Sequence, residues 1–144
     1  MPKVYLDNCC FNRPYDNQTQ VEIHIETQAK LHIQGQIINN EYDLVWSPVL
    51  EYENSENPFE IRREAIIEWK NIAKHHAVID DKTIEKVNEL EKTGIKPKDA
   101  AHLACALSVS TDYFVTTDKG LLNKNVDGIK IINPIDLIKG GELT

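Results

Sequence analysis

The amino-acid sequence predicts an α/β fold, with a mostly parallel sheet covered by helices on both of its faces. Short apolar runs of strand length alternate with longer segments of helical periodicity, which is typical of parallel sheets. The runs 4–6 and 113–117 consist of apolar and β-favouring residues, as expected for strands buried on both faces. Aspartate closes both runs, at Asp7 and Asp118, where a turn residue is expected.

The first third of the chain has the pattern strand, loop, helix and strand. Residues 3–6 predict a buried strand, and the turn formers of 12–17 predict a loop. Residues 19–39 predict a helix, and 44–47 predict the second strand. The helix has one apolar stripe with a spacing of four residues, formed by Val21, Ile25, Ala29, Ile33 and Ile37.

The rest of the chain is mainly helical in pattern. Ser47 and Pro48 have the residue types of an N-cap and a first helical position, and the helix they begin is interrupted at 54–58. A second amphipathic helix at 59–76 would bury Ile61, Ala65, Trp69 and Ile72. The remaining predicted elements are a minimal strand at 78–79, a helix at 80–93 ended by Gly94, a helix at 97–110, a strand at 113–117, a short helix at 119–122, a strand at 129–132 and a closing helix at 134–138.

Length and composition predict a single domain spanning residues 1–144. A chain of 144 residues with 41% hydrophobic residues can bury a full core. We find neither a signal-like amino terminus nor an apolar run of spanning length, which predicts a cytoplasmic protein with no membrane contact. Cys9, Cys10 and Cys105 are odd in number and lack zinc-site spacing, so we expect free thiols.

The charge distribution excludes a generic nucleic-acid binder. The net charge is −7, and residues 1–60 hold only three basic side chains, Lys3, Arg13 and Lys30, against ten acids. Proteins that bind nucleic acid through phosphate contacts show a basic stripe, which this chain lacks. Bound metal ions, a few local lysines or arginines, or a basic partner would have to supply the positive potential.

Four acidic residues at the ends of predicted elements indicate a divalent-metal site. Asp7 and Asp118 follow predicted strands, Asp99 opens the helix 97–110, and Glu51 or Glu53 follows the second strand. Ligands of open α/β sheets bind at the carboxyl ends of the strands, where these acids would meet. Clustered carboxylates repel one another, and a hard cation with oxygen ligands removes that repulsion.

Each acid also has a purely structural interpretation. Asp99 suits the first turn of a helix, and Asp118 suits an N-cap, a role that is compatible with binding a metal. Glu51 and Glu53 belong to an acid-rich stretch that could simply face solvent. We interpret His102, three residues before Cys105, as a histidine packed in the core.

The chain resembles the PIN-domain nucleases over almost its whole length. The matching segments are Lys3-Val4-Tyr5-Leu6-Asp7-Asn8, the acid after Ser47, Asp99-Ala100-Ala101-His102-Leu103-Ala104 and Tyr113-Phe114-Val115-Thr116-Thr117-Asp118. The resemblance implies a three-layer α/β/α, Rossmann-like domain and an endoribonuclease activity that uses one or two Mg²⁺ or Mn²⁺ ions. It also implies that the chain could be the toxin of a toxin–antitoxin pair, held inactive by a small antitoxin protein.

The resemblance also assigns roles to individual residues. Asp7, Asp99 and Asp118 would hold the metal, and together with Glu53 they would form the catalytic set that cleaves RNA. The family spacing favours Glu53 over Glu51; the two lie about 200° apart on a helix, so only one can face the site. Thr116 would be a polar support near the site, and Asn8 stands where the family usually has Thr or Ser.

Several predictions remain open at the level of sequence. Asn8, Arg13, Thr116 and Lys119 are the candidate contacts to substrate. Two other functions fit the acidic chain: a PIN-like domain that binds RNA or protein without cutting, and a metal phosphohydrolase acting on a small phosphate ester. A homodimer is a further expectation drawn from the resemblance.

Overall fold

The computed structural model describes residues 1–140, and within them five strands form one parallel sheet. Residues 141–144 of the predicted domain lie outside the described residues. The strands are β1 (Lys3–Leu6), β2 (Asp43–Trp46), β3 (His75–His76), β4 (Tyr113–Val115) and β5 (Lys130–Ile132), in the spatial order β3-β2-β1-β4-β5.

Helices join the strands and complete a three-layer α/β/α fold, as the resemblance implies. None of the helices within residues 1–140 is both long and apolar enough to cross a membrane. The helices are α1 (Asn8–Asn12), α2 (Val21–Ile38), α3 (Pro48–Ser55), α4 (Glu60–Ile72), α5 (Asp81–Lys92), α6 (Pro97–Ser108), α7 (Lys119–Leu122) and α8 (Pro134–Ile138), with a 3₁₀ turn at Arg13–Tyr15.

The strand order changes direction at β1. The chain moves outwards from β1 to β2 and β3, and then returns to the other side of β1 to add β4 and β5. Such a switch point leaves a crevice at the carboxyl ends of the two central strands, which is the usual binding place in open α/β sheets. Asp7 directly follows β1 and Asp118 lies just beyond β4, so the topology itself brings these two acids together.

The core is centred on β1. Val4, Tyr5 and Leu6 are fully buried because β1 has neighbouring strands on both edges and helices on both faces. The Tyr5 ring stacks on Phe114 of β4, with ring centroids 5.1 Å apart. The side chain of Tyr5 is therefore held rigidly behind the carboxyl edge of the sheet.

Local capping signals are confirmed. The Ser47 hydroxyl oxygen accepts a hydrogen bond from the Leu50 N–H at 3.1 Å, and Pro48 is the first residue of α3. Pro97 likewise begins α6. Gly94, two residues beyond the end of α5, has φ +97°, a left-handed conformation that favours glycine.

The predicted strand at 78–79 is wrong, and so is the extension of the second amphipathic helix to residue 76. Helix α4 ends at Ile72, and the edge strand is His75–His76. The Lys74 N–H bonds the Leu44 carbonyl and the Ala77 N–H bonds the Trp46 carbonyl, so pairing with β2 defines this strand. Val78 and Ile79 are 65% and 51% exposed.

Two predicted apolar stripes are partly wrong. Val21 and Ile25 of α2 are 73% and 45% exposed, whereas the later members of that stripe are buried. In α4, Ile61 is 82% exposed and the buried residue is Ile66. Both helices carry more apolar residues than one stripe needs, so their tertiary contacts decide which face is buried. Helix α1, begun by the Asp7 cap, is an element that the sequence patterns did not predict.

Candidate active site

A pocket of about 340 Å³ lies at the carboxyl edge of the central strands. Asp7, Glu53, Asp99 and Asp118 all line it, so the structure brings together the four acids predicted from sequence. They come from the ends of β1 and β4, from α3 and from the first turn of α6. The arrangement follows from the switch in strand order beside β1.

Asp7 is held by hydrogen bonds to both carboxylate oxygens. Its Oδ1 accepts the Asn8 N–H at 2.8 Å, which caps α1, and its Oδ2 accepts the Thr116 hydroxyl at 2.8 Å. The Thr116 Oγ1 in turn accepts the Asp118 N–H at 3.1 Å. Thr116 therefore links the two strand-end acids by hydrogen bonds.

Asp118 caps the short helix α7 and lines the pocket at once. Its Oδ1 accepts the N–H groups of Gly120 at 2.9 Å and Leu121 at 3.3 Å. Asp118 can therefore cap α7 and bind a metal at the same time, because both capping bonds use one oxygen and leave the other to the pocket.

The raised pKa of Asp99 reflects charge repulsion within the acidic cluster. Partial burial raises its pKa, and the carboxylates of Asp7 and Asp118 raise it further. Burial and these neighbouring charges disfavour the ionised form of Asp99. A bound cation would reverse this effect.

Glu53, and not Glu51, faces the pocket. One oxygen of Glu53 is hydrogen-bonded to Nε2 of His102, and the other lies 3.3 Å from the Lys98 ammonium. Burial raises the pKa of Glu53, but these two partners lower it more, so it stays ionised. Glu51 lies in a separate cavity of about 520 Å³, 2.9 Å from the Lys70 ammonium and 3.3 Å from Nε1 of Trp46.

His102 is a pocket residue that the sequence interpretation missed. It is 1% exposed, as expected for a core histidine, but its Nε2 faces Glu53 and lies 3.8 Å from an oxygen of Asp7. The available signal was its position three residues after Asp99, because residues three apart lie on the same face of a helix.

The predicted substrate contacts divide into two groups. Asn8 lines the pocket, and Thr116 lies directly behind Asp7. Arg13 is engaged with Asp16 and Glu26 at 3.0 Å and 2.8 Å, and the Lys119 ammonium lies 3.6 Å from Glu22. Neither Arg13 nor Lys119 lines the acidic pocket, and a contact of either side chain with substrate stays a prediction.

The pocket has the donor set of a hard divalent cation. Asp7, Glu53, Asp99 and Asp118 place carboxylates in the same pocket, and oxygens of Asp7 and Glu53 lie within 4.8 Å of each other and of a ring nitrogen of His102. Carboxylate oxygens suit Mg²⁺ and Mn²⁺. The raised pKa of Asp99 marks the like-charge repulsion that such an ion would remove.

The fold and the pocket define an α/β/α domain of the PIN type with acids at its switch point. Similar solved structures are a DNA-bound VapBC from Salmonella typhimurium, at 18% identity and a TM-score of 0.56, covering 93% of this chain and 99% of that one. VapBC2 from Rickettsia felis, bound to a DNA fragment from its promoter, matches at 14% identity and a TM-score of 0.55, covering 91% and 98%. FitAcB from Neisseria gonorrhoeae matches at 14% identity and a TM-score of 0.55, covering 91% of this chain and 97% of that one. No protein-family model and no curated protein matches the sequence.

Proposed function

We propose that this chain is a metal-dependent endoribonuclease that hydrolyses RNA phosphodiester bonds. The observation that carries the proposal is the convergence of Asp7, Glu53, Asp99 and Asp118 on one pocket at the switch point of the sheet. Within residues 1–140, this cluster of like charges is maintained without an arginine or lysine for each acid, which favours a role in holding a cation.

Each pocket residue has a task in this proposal. Asp7, Asp99 and Asp118 hold one or two Mg²⁺ or Mn²⁺ ions, and Thr116 fixes the orientation of Asp7. A bound divalent ion would polarise the scissile phosphate and lower the pKa of a water molecule. Glu53 is ionised and lies at the pocket wall, where it can accept a proton from the attacking water. Asn8 faces the same space as a polar contact for the phosphate or the water.

Local lysines offset the acidic character of the chain at this site. Lys98 lines the pocket itself. Lys96 and Lys124 line a neighbouring cavity of about 190 Å³ that shares Asp99 and Asp118 with the acidic pocket. A polyanion bound at the metal would therefore meet positive charge on this side, which favours RNA over a substrate with a single phosphate.

We further propose an antitoxin partner, and the similarity to VapBC and FitAcB supports this pairing. The structure offers an exposed aromatic surface for a protein partner: the Arg62 guanidinium lies over both the Tyr15 and the Phe59 rings, at 4.8 Å and 3.9 Å from their centroids. Homodimer formation, a single functional domain and a cytoplasmic location belong to the same proposal; free thiols at Cys9, Cys10 and Cys105 suit a reducing compartment.

Cleavage of a labelled single-stranded RNA with Mn²⁺ or Mg²⁺ tests the proposed nuclease. We expect Asp7→Asn and Asp99→Asn to lower kcat/KM by at least about 100-fold while the variants remain folded by circular dichroism. Glu51→Gln is the matched control, because Glu51 faces a different cavity on the same helix as Glu53. Its activity should stay within about twofold of the wild type.

Other outcomes of the same experiment favour the rival functions. A folded wild type that binds metal but leaves RNA intact would favour a PIN-like binding domain. Turnover of a chromogenic phosphate monoester without RNA cleavage would favour a small-molecule phosphohydrolase. Failure to bind either metal would contradict the interpretation of the acids as a metal site.

A further inference from the structure

A chain of buried polar side chains lies behind Glu53. The Tyr5 hydroxyl is 2.5 Å from the Ser47 Oγ and 2.5 Å from Nδ1 of His102. Nε2 of His102 is hydrogen-bonded to Glu53. Ser47, Tyr5 and His102 are each at most 1% exposed, so no bulk water competes for these bonds.

Only one arrangement of protons satisfies this chain with a neutral histidine. The Ser47 Oγ already accepts the Leu50 N–H as the cap of α3, and its own proton can go to Tyr5. The Tyr5 hydroxyl is fully buried between Ser47 and His102, so with the Ser47 proton directed to it the phenol donates its own proton to Nδ1 of His102. Nε2 of His102 then carries the other proton and donates it to Glu53. The reverse direction would leave the Ser47 proton without an acceptor and would turn a nitrogen lone pair towards a carboxylate.

We propose that Ser47, Tyr5 and His102 form a positioning relay that fixes the Nε2–H tautomer of His102 and so orients the Glu53 carboxylate in the pocket. In this arrangement His102 is not itself a metal ligand, because the nitrogen that faces the pocket is a donor. The functional part of the inference rests on the proposed metal site, whereas the tautomer follows from the hydrogen bonds of the metal-free protein.

The relay explains how a glutamate on a short helix is kept in place. Helix α3 has only eight residues, and the other partner of Glu53 is the Lys98 side chain, which is 69% exposed and a weak restraint. The Ser47 hydroxyl caps α3, the helix that carries Glu53, and it is also the first group of the relay that orients the Glu53 carboxylate. One atom therefore anchors both the helix and the relay. Glu53 lines the same pocket as the three aspartates, where its fixed carboxylate would hold a metal-bound water by a hydrogen bond and so raise metal affinity without contacting the ion.

The tautomer can be measured directly by ¹⁵N NMR of the histidine ring in the metal-free, full-length protein. We expect the Nε2–H tautomer for wild-type His102 and a mixture in Tyr5→Phe, which keeps the ring stacking on Phe114 but loses the hydroxyl. An Nδ1–H tautomer in the wild type would overturn the proposal. This measurement needs no RNA, so a failure of the proposed nuclease leaves its result interpretable.

Mn²⁺ binding gives the second readout. We expect Tyr5→Phe and His102→Ala to weaken Mn²⁺ affinity about 10-fold by calorimetry, with partial rescue in His102→Gln, whose amide can still donate to Glu53. Tyr52→Phe is the matched control, since its ring is 67% exposed on α3, and it should bind as the wild type does. Electron spin-echo spectra of the Mn²⁺-loaded wild type should show no ¹⁴N coupling. A clear ¹⁴N coupling that disappears in His102→Gln would make His102 a ligand and contradict the relay, as would unchanged affinity in both Tyr5→Phe and His102→Ala.

Discussion

Lys30 is buried in the folded protein, and no carboxylate among residues 1–140 lies within ion-pair distance of its ammonium. It is 5% exposed, and its ammonium lies 5.8 Å from the centroid of the Phe11 ring. Burial lowers the pKa of Lys30 to about 8, against a slight opposing effect of the Cys10 thiol. The charged form is therefore less stable in the folded protein than in the unfolded chain.

This pKa determines how the free energy of unfolding should change with pH. Because the folded-state pKa of about 8 lies below the usual lysine pKa of 10.5, the unfolded chain binds more protons between these two values. The contribution of Lys30 to the free energy of unfolding therefore becomes more favourable as pH rises across that window. Below about pH 8 the full destabilisation from the buried charge is present.

Replacing Lys30 with methionine should remove the penalty. At pH 7 we expect Lys30→Met to raise the free energy of unfolding by at most about 3 kcal/mol, and the gain should shrink towards pH 10. Urea unfolding at pH 7 and near pH 10 measures the difference, with the exposed Lys82→Met as control. An equal gain at both pH values would mean that better packing, and not removal of the buried charge, is responsible.

At the residue scale, sequence located the acids but not their partners. Asp7, Asp99 and Asp118 carry local signals, because each lies at the end of an element where a strand or helix boundary can be recognised. His102 carries no such signal: its role depends on Glu53, which approaches from α3 across the pocket. Arg13 shows the converse, since its nearness in sequence to Asp7 says nothing about its ion pair with the buried Glu26.

Helix α6 and its N-cap contribute acidic, basic and imidazole groups to the site and to the cavity beside it. Lys98, Asp99 and His102 line the acidic pocket, and the cap residue Lys96 lines the neighbouring cavity with Lys124. No side-chain hydrogen bond caps the N-terminus of α6, so its first N–H groups and its dipole add to the positive charge there. For the proposed nuclease, we expect this end of α6 to bind a second phosphate of the RNA strand.

The contribution of this cavity can be separated from that of the metal. For the proposed nuclease, we expect Lys96→Ala combined with Lys124→Ala to raise KM several-fold with little change in kcat or in Mn²⁺ affinity. The slope of log(kcat/KM) against log[NaCl] should become less negative by about 0.7 for each lost phosphate contact. Lys82→Ala with Lys86→Ala is the matched control, because these lysines line a cavity that contains none of the four acids. A salt dependence equal to that of the wild type would show that RNA does not reach Lys96 and Lys124.

At the element scale, predictions that rest on local chemistry are confirmed and those that rest on long-range contacts are not. Ser47, Pro48, Gly94 and Pro97 mark helix ends through their own side chains or backbone preferences, and the structure places the ends there. The strand at His75–His76 exists because β2 offers hydrogen-bonding partners, and no propensity of two histidines indicates it. The buried face of α4 is similarly chosen by what it packs against.

At the scale of the whole molecule, the strand order couples stability to the site. The order that places β1 at the centre brings Asp7 and Asp118 together, and Asp99 completes a cluster whose repulsion the metal-free protein must tolerate. The net charge of −7 adds further electrostatic repulsion in the folded state. A domain arranged in this way should be more stable with its cation than without it.

Thermal unfolding with and without Mn²⁺ tests this coupling. At 100 times Kd, Mn²⁺ should stabilise the wild type by about 2.7 kcal/mol and raise the Tm by several degrees. Asp99→Asn should have a higher Tm than the wild type without metal at pH 7 but show little rise in Tm with Mn²⁺.

The Tm difference between Asp99→Asn and the wild type without metal should also depend on pH. Because the pKa of Asp99 is raised, its destabilising charge is present above that pKa and is lost on acidification, so this Tm difference should shrink as pH falls. Glu51→Gln should keep the full response to Mn²⁺, since its carboxylate pairs with Lys70 outside the pocket. A metal response that survives Asp99→Asn, or a lower metal-free Tm in that variant at pH 7, would contradict the view that the pocket stores repulsion which the cation relieves.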